Sequence, residues 1–253
     1  MRFYRCDGII IRSRDMGEAD KLLTIFTRQF GKIRVLAKGA RKTKSRFGSS
    51  TELLTHCDLL IYGDEKRELH IISGHSIRSS NYRLREDIGR LLFGLQVAEI
   101  VDLLSPEREE NAEAFGILRE AVEALDGTDI PPFNIFASAS LKLLRAFGYD
   151  MAIDICPICQ GRIGVGKVGF DPSAGGFVCE GCFLSGRGRF ASPPALMAMR
   201  GFRDMEIAKS GRIRIQERVE REIGSFIVEY VEHITGKAMK SPGIHTSLHV
   251  YGS

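Results

Sequence analysis

No stretch of the 253-residue sequence approaches the roughly eighteen consecutive apolar residues that a membrane-spanning helix needs. The amino end, "MRFYRCDGII", has no long apolar run after its first arginine, so no secretory signal is expected. Both absences point to the cytosol, where the six cysteines serve as thiols or metal ligands rather than as a disulfide framework. No histidine lies between His75 and His233, which excludes the H-x-E signature of a zinc deaminase around the later cysteines. There is no repeat of 20–50 residues and no low-complexity tract. Overall charge is also scarce: 36 basic against 32 acidic residues leave +4, too little to indicate a polyanionic partner. Only the distribution of charge carries information.

One absence is local. Between Lys21 and Thr51, thirty-one positions, there is no Asp or Glu, while Lys21, Arg28, Lys32, Arg34, Lys38, Arg41, Lys42, Lys44 and Arg46 all fall there. A solvated surface normally mixes signs, because carboxylates relieve repulsion between cations. In "KIRVLAK" the cations alternate with apolar residues. A strand would turn Lys32, Arg34 and Lys38 to one side, and Ile33, Val35 and Ala37 to a packed interior. The segment Arg41–Arg46 would extend the same field, with Phe47 beside it as either a stacking platform or a core residue. An uncompensated cationic groove with an occasional aromatic suits single-stranded nucleic acid, whose phosphates it would neutralise.

The periodicity divides the chain. Residues 1–80 read as five short strands with polar turns, a small barrel or sandwich; helix is the weaker reading for Leu22–Arg28. From residue 83 the apolar spacing becomes helical. One helix covers 83–104 and a second starts after Asn111 as N-cap. A third starts after Pro131-Pro132 and stops at Gly148, another follows Pro193-Pro194, and a last runs from about 216 to 235 with Gly236 beyond it. Asp15, Glu18 and Asp20 cluster at a turn, where capping or solvation is the expected role. Cys6 and Cys57 are expected as small core residues.

"CPIC" at 156–159 and "CEGC" at 179–182 stand nineteen residues apart. Each pair offers two thiolates from one tight turn, and the gap suffices for a hairpin to bring the turns together. Four thiolates fill a tetrahedral zinc site and leave no position for a reacting water, so Cys156, Cys159, Cys179 and Cys182 predict a structural Zn2+. A redox motif would need a βαβ context that is missing, and iron–sulfur clusters favour other spacings. "GVGKVG" at 164–169 matches G-x-G-x-x-G, but lacks a strand before it and a helix after it.

Taken together, "GEADKLLTIFTRQFGKIRVLAKGARKTKSRFG" at 17–48, the barrel-then-helices order and the four-cysteine insert resemble the RecO family of bacterial recombination mediators. The resemblance implies an α+β multidomain protein. An OB-fold DNA-binding barrel would occupy 1–80 and an α-helical domain 81–155 and 189–240. A zinc-binding insert would span 156–188, with a tail at 241–253 that matches nothing assignable. It further implies a non-enzymatic, cytoplasmic, nucleoid-associated protein that binds single- and double-stranded DNA and anneals strands. Such a protein works with RecR, and in some species RecF, and loads RecA onto strands coated by single-strand-binding protein, whose acidic C-terminal tail it binds. Carried over, the DNA-contacting residues would be Lys32, Arg34, Lys38, Arg41, Lys42, Lys44 and Arg46. Arg119, Lys142, Arg145, Lys237 and Lys240 are candidate cations for the acidic tail, each more simply read as a solvated helix residue. The alternatives are a zinc-ribbon nucleic-acid-modifying enzyme and a protein-only adaptor. The enzyme would need a set of convergent catalytic groups that the sequence does not display.

Overall fold

A computed structural model describes residues 2–63, 69–164, 166–183 and 188–242, in two compact units divided between Gly127 and Thr128. Most of the tail at 241–253 therefore lies outside the described residues.

In the first unit five strands close a barrel: β1 (Arg2–Met16), β2 (Asp20–Thr27), β3 (Gly31–Ala37), β4 (His56–Gly63) and β5 (His70–Ser79), in the order β1-β2-β3-β5-β4. The β1 strand is long because it serves two neighbours. Its first half pairs with β4 and its second with β2, and a register shift between Ile10 and Arg12 bends it from one to the other. The barrel closes where β3 and β5 run parallel at Val35–His70 and Leu36–Ile71. This is an OB-fold barrel. Leu22–Thr27 is strand, since Leu23 and Ile25 face an interior shared with Ile10, Ile33, Val35, Leu59, Ile61 and Ile72. Cys6 and Cys57 belong to that interior, and burial pushes both thiols up to about 12, so they pack rather than react.

Phe47 is part of the same core, 2% exposed and stacked on His75 at 5.1 Å. It is a core residue and no platform for a base. Its rings-inward position follows from the turn of 3-10 helix at Gly48–Thr51, which carries the chain from β3 back to β4 and plugs the barrel end.

Three helices complete this unit: α1 (Tyr82–Glu86), α2 (Ile88–Leu104) and α3 (Ala112–Gly127). The helical stretch at 83–104 is interrupted at Asp87, which adopts an extended conformation and caps α2 by accepting from the Arg90 N–H. Asn111 caps α3 through the Ala114 N–H as its sequence suggests. Phe115 of α3 packs against Phe26 and His56, so these two outward-pointing barrel residues are buried.

The second unit is built on α4 (Pro132–Ala146), whose small residues Ala137–Ser140 are all buried. Asn134 donates from its amide to the Ser210 and Ile213 carbonyls, and Ser138 donates to the Phe202 carbonyl. These bonds fix α5 (Pro193–Asp204) and the turn after it against α4. The last helix, α6 (Glu217–Thr235), ends at Gly236 with φ +64°, the left-handed residue expected there. A three-stranded sheet, β7 (Gly176–Cys179), β6 (Val168–Asp171) and β8 (Arg189–Ala191), presses Phe170 and Phe177 onto Phe226 of α6. Val168 of "GVGKVG" begins β6, which turns through a hairpin into β7, so no phosphate-binding helix follows that motif. Among the described residues no helix is long and apolar enough to cross a membrane.

Candidate nucleic-acid interface and metal centre

The alternation read from "KIRVLAK" holds. Ile33, Val35 and Ala37 are buried, while Arg34 and Lys38 are exposed and Lys32 is half-covered. The outer face is nevertheless not free of acids. β5 pairs with β3 only at its C-terminal end, which leaves the Lys32 end of β3 with an open edge. The connection between α2 and α3 fills it: the Arg108 N–H donates to the Lys32 carbonyl at 3.0 Å, and Glu107 pairs alongside. Glu107 forms an ion pair with Arg34. Asp102, at the end of α2, takes both Lys32 (3.3 Å) and Arg12 (3.2 Å), and the Lys32 side chain is only 12% exposed. Lys21 is paired with Glu52 and Arg41 with Asp15, both at 3.2 Å. The expectation of a wholly uncompensated surface is thus corrected. Among the described residues, four of the nine cations in the acid-free stretch meet carboxylates, most of them supplied from residues far along the chain.

Gly31 shows how closely the α2–α3 connection sits. Its φ is +58°, and a Cβ there would lie 1.9 Å from the Glu109 carbonyl oxygen. Gly31→Ala should therefore destabilise the first unit by about 2 kcal/mol or more through backbone strain and displacement of the connection. A lowered denaturant midpoint, with loss of amide protection at Arg108, is the expected reading.

The other end of β3 is different. Residues 38–47 form successive turns anchored on the β1–β2 connection: the Gly39 N–H donates to Asp20 at 2.7 Å and the Arg41 N–H to the Ala19 carbonyl at 2.9 Å. The Arg41 guanidinium reaches the Gly17 and Glu18 carbonyls as well as Asp15. Two of the three acids at that turn, Asp15 and Asp20, thus hold the loop through their carboxylates, while Glu18 contributes its carbonyl. Lys38, Lys42 and Lys44 are exposed and have no ion pair among the described residues. Arg46 donates to the Ile72 carbonyl at 3.1 Å and lies 5.0 Å over the Phe47 ring, which pins it at the foot of the loop without neutralising it. Five cations therefore gather on one ordered loop between β3 and β4, held against the β1–β2 connection.

In the second unit the sulfurs of Cys156, Cys159, Cys179 and Cys182 all lie within 4.8 Å of one another. Tetrahedral zinc with Zn–S bonds of about 2.3 Å places its sulfurs about 3.8 Å apart, and Cys159 and Cys179 stand at 3.7 Å. The β6–β7 hairpin produces this meeting, since Cys179 ends β7 opposite Val168. Gln160 (φ +61°) closes the first knuckle, where the Cys156 N–H donates to the Gly161 carbonyl. Burial pushes the Cys156 thiol up, but the backbone N–H groups of Cys159, Cys179 and Ile158 outweigh it and hold it at about 6. Cys182 is pushed up to about 12 by its hydrogen bonds with the Cys179 and Cys159 sulfurs. Four crowded sulfurs cannot all ionise without a cation among them. A thiophilic divalent ion resolves that conflict, and the donor set fits one.

The chain matches the family model described as Recombination protein O N terminal over residues 1–81, and that described as Recombination protein O C terminal over residues 85–242. The chain belongs to the RecO family. It is 36% identical over 243 residues to the DNA repair protein RecO of Roseiflexus sp., an alignment covering 95% of this chain and 84% of that one. It is 31% identical over 245 residues to the DNA repair protein RecO of Desulfitobacterium hafniense, covering 95% and 88%. The match to the DNA repair protein RecO of Symbiobacterium thermophilum is 31% over 244 residues, covering 95% and 96%.

A RecO-family barrel thus carries its seven sequence-selected cations in two groups. Lys32 binds the end of α2 and Arg34 the connection after it, while Lys38, Arg41, Lys42, Lys44 and Arg46 crowd the loop. Of the acidic-tail candidates, Arg119 pairs with Glu123 on its own helix and Lys142 donates to the Arg203 carbonyl. Asp102 and Glu107 are the residues sequence reasoning missed. No local signal marks them, because they lie about 70 positions from their partners.

Proposed function

We propose that this RecO-family DNA repair protein is a non-enzymatic mediator that binds single- and double-stranded DNA, anneals complementary strands, and helps load RecA onto strands coated by single-strand-binding protein. RecR, the acidic tail of single-strand-binding protein and, in some species, RecF are its partners in this reading. The loop of Lys38, Arg41, Lys42, Lys44 and Arg46 carries the proposal. It is held by hydrogen bonds to the β1–β2 connection, one of the loops with which OB-fold barrels bind oligonucleotides, so its cations are presented in a fixed place beside that connection. Screening two polyanions at one such surface lowers the repulsion that opposes pairing. Lys32 and Arg34 serve the fold first, holding α2 and its following connection on β3.

The four cysteines hold a structural Zn2+ in this proposal. With four protein ligands the ion has no open position, so it fixes the two knuckles on the β6–β7 hairpin and takes no part in bond chemistry.

A salt titration of binding to single-stranded oligonucleotides tests the electrostatic part. Five phosphate contacts should give a slope of about −3.5 in log K against log salt. A flat response, or strand annealing that proceeds no faster with the protein than without it, removes the reading.

A further inference from the structure

The first cysteine knuckle is gripped from outside the centre. Residues 154–163 form a narrow hairpin that carries Cys156 and Cys159. The Ile163 N–H donates to the Asp154 carbonyl at 2.8 Å, Ile155 bridges Arg162, and the Cys156 N–H donates to the Gly161 carbonyl at 2.8 Å. Arg200 of α5 closes the base of that hairpin. Its Nε donates to Asp154 Oδ1 at 2.7 Å, and one of its terminal nitrogens stands 3.3 Å from both the Ile153 and the Ile163 carbonyl oxygens. One guanidinium therefore joins the chain entering the knuckle to the chain leaving it. Arg203, a turn further along α5, takes Asp154 Oδ2 at 2.7 Å, and its own carbonyl accepts from Lys142 of α4.

The second knuckle is placed differently. Cys179 ends β7, within the sheet, and the Cys182 and Phe183 N–H groups both donate to its carbonyl at 3.0 Å. The Phe183 ring then lies over Gly169 of β6, in space that a Cβ at 169 would occupy. The first knuckle contains no strand of that sheet. Ala152 is bridged to Gly176, but the hairpin beyond it leaves the sheet. Half of the four-sulfur centre is thus set by the sheet and half by a side chain of α5. Arginine suits the task, because its planar fork of donors serves a carboxylate and two carbonyls at once.

We propose that Arg200 is a positioning residue for the metal: it holds the knuckle of Cys156 and Cys159 closed and turned toward Cys179 and Cys182, so that the ion enters a site already shaped from α5 and leaves it slowly. This rests on the structural-zinc reading above and deepens it. Arg200 binds the stem of the knuckle through Asp154, Ile153 and Ile163, and the four sulfurs remain the ligands. Its effect therefore falls on metal affinity and residence time, which an outer partner of a metal site changes by about 10–100-fold.

The test compares Arg200→Gln and Arg200→Lys with Arg189→Gln, all in the full chain. Arg189 pairs with Glu229 and lies over the Phe226 ring in the same unit, and neither contact involves the first knuckle. Its variant records what a general loss of stability does to the metal. Each protein is loaded with Zn2+ and its release to a chromophoric chelator is timed. Each is also loaded with Co2+, whose absorption reports four thiolates in a tetrahedron. Arg200→Gln should release zinc about tenfold faster than the unaltered protein. Arg200→Lys, which can keep the pair with Asp154 alone, should fall between the two, and Arg189→Gln should release zinc at the unaltered rate. The cobalt spectrum should be the same throughout. Release from Arg200→Gln no faster than from Arg189→Gln overturns the proposal. So does a changed cobalt spectrum in Arg200→Gln, which would mean that a ligand, and not its support, had been lost. Should Arg200→Gln fail to fold, Arg200→Lys decides, and release from it at the unaltered rate overturns the proposal. An unaltered chain that takes up neither ion refutes the structural-zinc reading itself, a result distinct from these.

Discussion

If the four cysteines hold the proposed Zn2+, a Cys156→Ser variant is expected to bind no metal and to lose the fold of the segment around residues 152–183. Cys156 is fully buried, and backbone N–H groups of Cys159, Cys179 and Ile158 support its sulfur, so serine there removes a well-prepared ligand. Structural zinc contributes about 10 kcal/mol or more to isolated zinc-binding peptides, comparable with the whole stability of about 5–15 kcal/mol of an ordinary domain. The loss should reach the helices. The sheet that carries Cys179 also packs Phe170 and Phe177 on Phe226, and Arg189 of β8 lies 4.4 Å over that same ring. Elemental analysis should find one zinc per unaltered chain and none in the variant, and hydrogen exchange should rise across the β6–β7 hairpin. The barrel unit, whose core contains none of these residues, should keep its protection. An unaltered chain that holds no metal and a variant as stable as its parent would together refute the structural-zinc assignment.

The second large effect is electrostatic. Lys38→Glu/Lys42→Glu/Lys44→Glu should lower single-strand affinity by about a hundredfold or more at 0.1 M salt, since each lost phosphate contact removes about 0.7 log units per decade of salt. The slope should fall from about −3.5 to about −1.4. These three side chains are exposed and have no ion pair among the described residues, so the thermal transition should be preserved. Charge reversal at Arg34 or Lys32 would be a poorer experiment. It would set a carboxylate against Glu107 or Asp102 and loosen the α2–α3 connection, confusing lost binding with lost fold. Unchanged affinity and slope in a folded triple variant would show that DNA, if bound, is bound elsewhere.

Much of this was legible from local pattern. The β2–β3 hairpin, the inward Ile33, Val35 and Ala37, the Asn111 cap, the Gly236 stop and the meeting of four cysteines all follow from spacing, because each depends on neighbours within a turn, a hairpin or a knuckle. Phe47 was ambiguous for a plain reason. An aromatic after a basic run reads equally as platform or plug until the chain's return path is known, and the 3-10 turn at 48–51 drives it inward.

By itself, then, the sequence determined the element order, the cysteine centre and the concentration of cations between Lys21 and Arg46. Tertiary structure alone decided which of those cations meet a carboxylate. Charge compensation acts through space over a few ångströms, and Asp102 and Glu107 reach Lys32 and Arg34 only because a helix and its following connection cover the open edge that β5 leaves on β3. The same distance rule brings Arg200 and Arg203 of α5 onto Asp154 at the foot of the first cysteine knuckle, a meeting that no linear pattern announces.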